Sequence, residues 1–185
     1  ILFCGVLPSV APDDKFAILA VDIICMGEGE MPTAELLDSM QNGVINTSIP
    51  NLWFKKDSRI IKNEIRTLEQ HLDDLPFPDR DLFDTQLYID RSGTIDIISG
   101  RGCPYQCSYC VEPTYQKIFK GKGKFVRYRS VDNVMEEVAD LQRRFKFSRI
   151  NFVDDVFTID IRWLREFSAK YKKYFKIPYT CNARI

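Results

Sequence analysis

Residues 95–110 read IDIISGRGCPYQCSYC, a short apolar run that leads directly into three closely spaced cysteines. The first five residues have the apolar, β-branched composition of a buried strand. Cys103, Cys107 and Cys110 then follow with the spacing C-x-x-x-C-x-x-C. The sequence therefore predicts a thiol-rich loop at the C-terminal end of a strand.

Alternating helix and strand patterns continue after this loop. Ser130 is placed to cap a helix with one apolar face. The apolar residues of that face are Val131, Val134, Val138, Leu141 and Phe145. Strand patterns at residues 150–153 and 179–183 flank an aromatic-rich helix pattern. Since the loops after the strands of parallel barrels meet at one edge, we expect the cysteine loop, Asp154-Asp155 and residues 182–184 to lie together.

Residues 1–43 also alternate between strand and helix patterns, with Thr33 as the expected N-cap of a helix. Residues 44–92 break the alternation, with a hairpin predicted around residues 56–58 and a proline-rich stretch after it. We therefore predict an α/β fold with one domain at 1–43, a linker at 44–92 and a second domain at 93–185.

Composition argues against a nucleic-acid partner and against a membrane span. Lys plus Arg and Asp plus Glu number 26 each, so the chain lacks the broad basic surface of a non-specific nucleic-acid binder. The longest apolar stretch, residues 16–26, is interrupted by Asp22 and is shorter than the ~20 residues of a membrane-spanning helix. No secretion signal is readable, and clustered cysteines favour metal over disulfides, so we expect a cytoplasmic protein without a membrane span.

Three thiolates in a tight loop suit a metal cluster with a vacant position. They hold three corners of a [4Fe-4S] cubane and leave the fourth iron open, whereas electron-transfer clusters and structural zinc sites need four ligands. The alternative is a zinc-stabilised interaction module, with Cys181 or His71 as the fourth ligand.

The loop resembles that of the radical S-adenosylmethionine (SAM) superfamily, with Tyr109 at the aromatic position before the last cysteine. Gly27 to Glu30, Leu75 to Asp79 and Phe152 to Phe157 match, in order, motifs of the branch with an N-terminal cobalamin-binding domain, which includes proteins like the anaerobic magnesium-protoporphyrin monomethyl ester cyclase. The resemblance implies that the chain is an internal piece of a longer protein. It would comprise the C-terminal part of a Rossmann-like cobalamin-binding domain and the first half of a partial β/α (TIM-like) barrel.

This resemblance also implies an enzyme that cleaves SAM reductively and starts radical chemistry, either cobalamin-dependent methylation or ring formation. Cys103, Cys107 and Cys110 would hold the cluster, and an external flavodoxin or ferredoxin would reduce it. Tyr109 would lie near the adenine of SAM, Asp154 or Asp155 would bind its amino group, and Arg184 its carboxylate. No catalytic residue is assigned, and the substrate is expected to be a small molecule.

Three further expectations follow from the resemblance. Methylthiotransferases of the superfamily are less favoured, because their N-terminal domain usually supplies three cysteines and only Cys4 and Cys25 lie upstream here. Where related proteins have two glycines and then a Thr, this chain has Cys4-Gly5 and Ser9, and cobalamin is expected as a further cofactor. Later barrel strands normally complete the site, so the chain alone is expected to be inactive.

Two remaining features are expected to have no binding role. His71 is predicted to be a solvated loop residue. A basic run in the long loop after the cysteines is likewise expected to be solvated, which makes a nucleic-acid partner unlikely. Its members are Lys117, Lys120, Lys122, Lys124, Arg127 and Arg129.

Overall fold

The computed structural model describes residues 1–13, 20–57 and 59–184. The chain divides into two units. The first comprises residues 1–69 and 105–123, and the second comprises residues 70–104 and 124–185. The cysteine loop therefore contributes to both units.

The described elements alternate between strands and helices along the chain. The strands are β1 (Leu2–Phe3), β2 (Ile23–Cys25), β3 (Leu52–Lys56), β4 (Arg59–Lys62), β5 (Thr94–Ile97), β6 (Gly100–Arg101), β7 (Arg127–Tyr128), β8 (Arg149–Phe152) and β9 (Tyr179–Cys181). The helices are α1 (Val6–Val10), α2 (Glu30–Gln41), α3 (Thr85–Ser92), α4 (Glu112–Ile118), α5 (Val131–Arg144) and α6 (Ile161–Tyr174), with 3₁₀ turns at Leu72–Asp74 and Arg80–Leu82.

The first unit contains a four-stranded sheet in the order β1-β2-β3-β4. Strands β1 and β2 are parallel, as their alternation with helix patterns predicted, and β3 and β4 add an antiparallel hairpin. The predicted hairpin is thus confirmed for its strands, while Ser58 of its turn lies outside the described residues. Leu52 and Phe54 of β3 are buried against Leu36 of α2. The predicted limits at 43/44 and 92/93 stay predictions.

Helix α2 begins earlier than predicted. Gly29 is its N-cap, with no hydrogen bond from a capping side chain, and the N–H of Thr33 donates to the carbonyl of Gly29 at 3.0 Å. The expectation that Thr33 caps this helix is therefore wrong. Pro32 lies in the first turn, where its missing N–H leaves no helical hydrogen bond unmade.

The second unit contains a parallel three-stranded sheet in the order β5-β8-β9. Helix α5 connects β5 to β8 and helix α6 connects β8 to β9, so the strand and helix alternation predicted for this region is confirmed. The N-cap is also confirmed, since the Ser130 hydroxyl accepts from the N–H of Asn133 at 3.1 Å. Phe152, Phe157 and Phe167 are fully buried and lie in contact at the centre of the core.

A short antiparallel ribbon, β6 with β7, carries the chain from β5 toward the cysteines. Gly100 allows the close pairing, because a Cβ there would lie 2.9 Å from the carbonyl oxygen of Arg127 and 2.8 Å from the Tyr128 ring. Gly102 follows with φ +85°, and a Cβ on it would overlap the carbonyl oxygen of Phe125.

The basic run is only partly solvated. Lys117, Lys120 and Lys124 are exposed, but Arg127 and Arg129 are buried, so the expectation of solvation is wrong for the two arginines. Both belong to or follow strand β7, which brings them into the second unit's interior. His71 is exposed, as predicted.

In the part of the chain that the structure describes, no helix combines the length and the apolarity needed to cross a bilayer. Residues 14–19, which include part of the apolar stretch noted above, lie outside that part.

Candidate functional site

Strand ends in the second unit meet at the start of the cysteine loop. Residues 97, 152 and 181 are in register across β5, β8 and β9, so the segments after these strands leave the sheet at one edge. The amide side chain of Asn182 donates to the carbonyl of Asp154 at 3.0 Å. The predicted meeting of these strand ends is therefore observed for the segments within this unit.

Asp154 holds the end of β5. Its carboxylate is 3% exposed and accepts from both the hydroxyl of Ser99, at 2.8 Å, and the N–H of Ser99, at 3.2 Å. Burial raises the pKa of the Asp154 carboxyl above its ordinary value of 3.8, and the hydrogen bonds from Ser99 offset part of this rise. Asp154 thus binds both the side chain and the backbone of Ser99, which fixes the segment after β5.

Asp155 is the exposed member of the pair. Its Oδ2 accepts from the N–H of Gly102 at 3.1 Å, one residue before Cys103. A carboxylate is thereby placed beside the first cysteine and remains open to solvent. The chemistry available to it is the binding of a cation or an amino group.

The other predicted SAM contacts are exposed. Tyr109 is 91% exposed, and Arg184 after β9 is also exposed. Their assignments to the adenine and carboxylate of SAM stay predictions.

The three loop cysteines form no disulfides, and their exposures differ. Cys103 is buried at the end of the ribbon, Cys107 is half-buried and Cys110 is exposed. A turn closed by the N–H of Cys110 and the carbonyl of Cys107, at 3.1 Å, joins the last two. Their donor chemistry fits an iron–sulfur cluster, for which thiolates are the usual ligands.

Among the described residues, no three His, Cys, Asp or Glu side chains lie close enough together to hold a metal ion. The assignment of Cys103, Cys107 and Cys110 as ligands thus rests on their spacing and donor chemistry, and it stays a prediction. The same holds for the zinc site with Cys181 or His71.

In the first unit, Ser9 connects the loops that follow β1 and β2. It is 2% exposed, its hydroxyl donates to the carbonyl of Gly5 at 2.8 Å, and the N–H of Gly27 donates to it at 2.8 Å. Cys4 follows β1 and Cys25 is the last residue of β2, and their thiols are hydrogen-bonded to each other. Burial, with a further contribution from Cys4, raises the pKa of the Cys25 thiol to about 12, which favours its protonated form.

Sequence reasoning missed a buried ion cluster in the second unit. Glu137 of α5 pairs with Arg80 and Arg129, and both arginines contact the backbone of the segment leading to the cysteines. The available signal was the four-residue spacing of Asn133 and Glu137 on one side of α5, with Arg129 four residues before Asn133 and just ahead of the helix.

The fold and the sequence are similar to those of known proteins. The mixed α/β fold is that of cobalamin-dependent radical SAM proteins, and the predicted resemblance to the radical SAM superfamily is confirmed. No family model matches the chain.

Two of the solved structures with a similar fold are those of OxsB and TsrM. The cobalamin-dependent SAM radical enzyme OxsB, with aqua-cobalamin and SAM bound, matches with a TM-score of 0.74 at 19% identity, over 97% of this chain and 25% of OxsB. The radical SAM methyltransferase TsrM from Kitasatospora setae, with cobalamin and a [4Fe-4S] cluster bound, matches with a TM-score of 0.67 at 20% identity, over 93% of this chain and 34% of TsrM.

Three curated relatives are similar in sequence. An uncharacterized methyltransferase of Pyrococcus horikoshii is 28% identical over 89% of this chain and 35% of its own length. The anaerobic magnesium-protoporphyrin IX monomethyl ester cyclase of a Synechocystis species is 26% identical over 80% of the chain and 28% of its own length. A putative methylthiotransferase of Methanocaldococcus jannaschii is 29% identical over 73% of this chain and 26% of its own length. The chain thus spans about a third or less of each relative's length.

Proposed function

We propose that this chain is part of a radical SAM enzyme that methylates or cyclises a small-molecule substrate. The observation that carries the proposal is the C-x-x-x-C-x-x-C loop of reduced cysteines, which follows parallel strand β5 and the short strand β6. The likeness to methyltransferases and to the cyclase supports it.

The proposed cluster ligands are Cys103, Cys107 and Cys110. When bound, a [4Fe-4S] cluster with one open iron supplies the electron that cleaves SAM reductively. Asp155 is the better placed of the two aspartates for the amino group of SAM, since its carboxylate is exposed beside Gly102, whereas Asp154 is occupied by Ser99. Arg184 would pair with the carboxylate of SAM and Tyr109 would contact the adenine.

We assign cobalamin, as a second cofactor, to the C-terminal ends of β1 and β2. In open α/β sheets ligands bind outside the carboxyl ends of the parallel strands. Gly5 lies there with φ +110° and open space around its Cα, and Ser9 fixes the two loops that would face the ligand. On this proposal residues 1–43 are the end of a Rossmann-like domain, and residues 93–185 are the start of a partial β/α barrel.

The test uses the full-length protein, reconstituted without oxygen from iron and sulfide. We expect about four iron and four sulfide per chain, and an electron paramagnetic resonance signal of the reduced cluster that changes when SAM is added. Substitution of Cys103, Cys107 or Cys110 by Ala should remove the signal. Cys181→Ala is the matched control and should leave it unchanged.

Other outcomes would contradict the proposal. A chain that binds one zinc, and loses it in Cys181→Ala or His71→Ala, would be a zinc-stabilised module instead. A cluster whose signal ignores SAM would exclude the radical SAM chemistry. The same protein, reduced by flavodoxin or ferredoxin in place of dithionite, tests the expected electron donor.

A further inference from the structure

Two arginines and one glutamate form an ion cluster beside β5, in which Arg129 and Glu137 are buried and Arg80 is half-buried. Glu137 is 2% exposed, and its carboxylate oxygens are divided between the two guanidinium groups. Arg129 Nη1 donates directly to Oε2, and Arg80 Nη2 lies 3.6 Å from Oε1. All three residues belong to the second unit.

Both arginines donate to the backbone that leads to the cysteine loop. Arg80 Nη2 donates to the carbonyl of Asp96 at 2.7 Å, and Arg129 Nη1 donates to the carbonyl of Ile98 at 2.8 Å. The main-chain N–H of Arg129 also donates to the carbonyl of Ser99 at 2.9 Å.

These contacts occupy the edge of β5 that faces away from its strand neighbour. The carbonyl of Ile97 accepts from the N–H of Val153, on the side of β8. Because alternate residues of a strand point their carbonyls in opposite directions, those of Asp96 and Ile98 face the other edge. The guanidinium groups therefore supply donors where the described sheet has no neighbouring strand.

The direction of the Arg129 side chain is fixed by several neighbours. Its Nε donates to Asn133 Oδ1 at 2.6 Å, and its guanidinium lies 5.2 Å from the centre of the Phe77 ring. The indole N–H of Trp163 donates to the main-chain carbonyl of Arg129 at 2.8 Å. The guanidinium, oriented in this way, holds the carbonyl of Ile98 in one place.

Net stability is a poor explanation for such a cluster. Buried ion pairs seldom stabilise a fold more than apolar residues of similar volume, because desolvation opposes their attraction. The planar guanidinium groups of two arginines do, however, hold backbone carbonyls in defined directions through hydrogen bonds, which apolar side chains cannot form.

We propose that Arg80, Arg129 and Glu137 are positioning residues that set the path of residues 96–102 and thereby the placement of Cys103. This role rests on the proposed function, because the loop it positions is the proposed cluster loop. The three side chains act through the backbone and have no contact with a cofactor in the proposal.

The first test measures backbone hydrogen exchange in the metal-free, full-length protein. Glu137→Gln keeps the shape of the side chain and removes its charge, and Arg129→Lys keeps the charge but loses the fork. In both variants we expect exchange at residues 98–103 to quicken by about tenfold or more, through local opening. Glu136→Gln, on the exposed side of the same helix, is the matched control and should exchange like the wild type.

The second test measures the reconstituted cluster. We expect Glu137→Gln and Arg129→Lys to bind less iron, and to show a weaker change of the resonance signal with SAM, in protein that is still folded at the temperature of the measurement. Glu137→Gln should also lower the melting temperature, because it leaves two guanidinium groups without their carboxylate. Unchanged exchange and an unchanged signal would overturn the positioning role. Since exchange is read without metal, it tests this role even if the wild-type protein holds no cluster, which would instead overturn the proposed function.

Discussion

Gly102 combines a left-handed backbone with a close neighbour, and both features matter for the approach to Cys103. Its φ is +85°, and a Cβ would overlap the carbonyl oxygen of Phe125. Gly121 has φ +77° but no atom within 4 Å of a Cβ position, so it reports the backbone effect alone.

We expect Gly102→Ala to lower the free energy of unfolding by about 2 to 4 kcal/mol, since overpacking adds to the cost of a left-handed Ala. Gly121→Ala should cost only about 1 kcal/mol. Chemical denaturation of both variants measures the difference. Equal losses would show that the ribbon shifts freely to admit a side chain.

Asp154 gives the stability of the protein a pH dependence with a definite sign. Burial raises its pKa above 3.8, so the carboxyl is harder to ionise in the folded protein than in the unfolded chain. Its contribution to stability is therefore present below pH 3.8 and is lost as the pH rises through the raised value.

The melting temperature of the wild type minus that of Asp154→Asn should accordingly fall as the pH rises from below 3.8 toward neutrality. Ser99→Ala removes a hydrogen bond at 2.8 Å that favours the ionised form, so the fall should move to higher pH in that background. A difference in melting temperature that grows as the pH rises would contradict a raised pKa for Asp154.

Among the elements, the two helix starts predicted from sequence had different outcomes for a local reason. Ser130 caps α5 through its hydroxyl, whereas α2 begins at Glu30 after Gly29, without a capping side chain. Thr33 precedes an apolar pattern but lies one turn inside the helix. A pattern of polar and apolar residues does not distinguish a cap from a Thr in the first turn.

We therefore expect Ser130→Ala to destabilise the protein by about 1 kcal/mol, the usual effect of losing a capping hydroxyl. Thr33→Ala should leave stability unchanged or slightly raised, because Ala has the higher helix propensity. Thermal unfolding of the two variants measures both effects. A loss in Thr33→Ala as large as that in Ser130→Ala would restore Thr33 as a cap.

Periodicity and strand ends made much of the second unit predictable. The apolar face of α5 and the joining of Asp154 to the end of β5 follow from repeats of three to four residues and from parallel order. The cluster of Arg80, Arg129 and Glu137 was not predicted, because Glu137 is buried by segments distant in sequence. The sequence singled out Asp155 as a candidate site residue, but its hydrogen bond with the N–H of Gly102 is seen only in the structure.

At the scale of the whole molecule, the parallel sheet has β5 and β9 at its edges in the described part of the chain. Arg80 and Arg129 cover carbonyls on the edge of β5, whereas β9 pairs with β8 alone among the described strands. An uncovered edge of a sheet pairs readily with another strand. In its relatives, this region is accompanied by about two thirds or more of additional chain.

Residues 1–185 alone are therefore expected not to cleave SAM, because the proposed site would lack the contacts that the rest of a relative's length supplies. The measurement is release of methionine and 5′-deoxyadenosine after reduction with dithionite, with the full-length protein as control. Cleavage by both would show that the cysteine loop, Asp155 and Arg184 suffice to bind and orient SAM. The ribbon and the ion cluster that hold the approach to Cys103 lie entirely within residues 1–185. If only the full-length protein cleaves SAM, the contacts that residues 1–185 lack must therefore come from other parts of the protein.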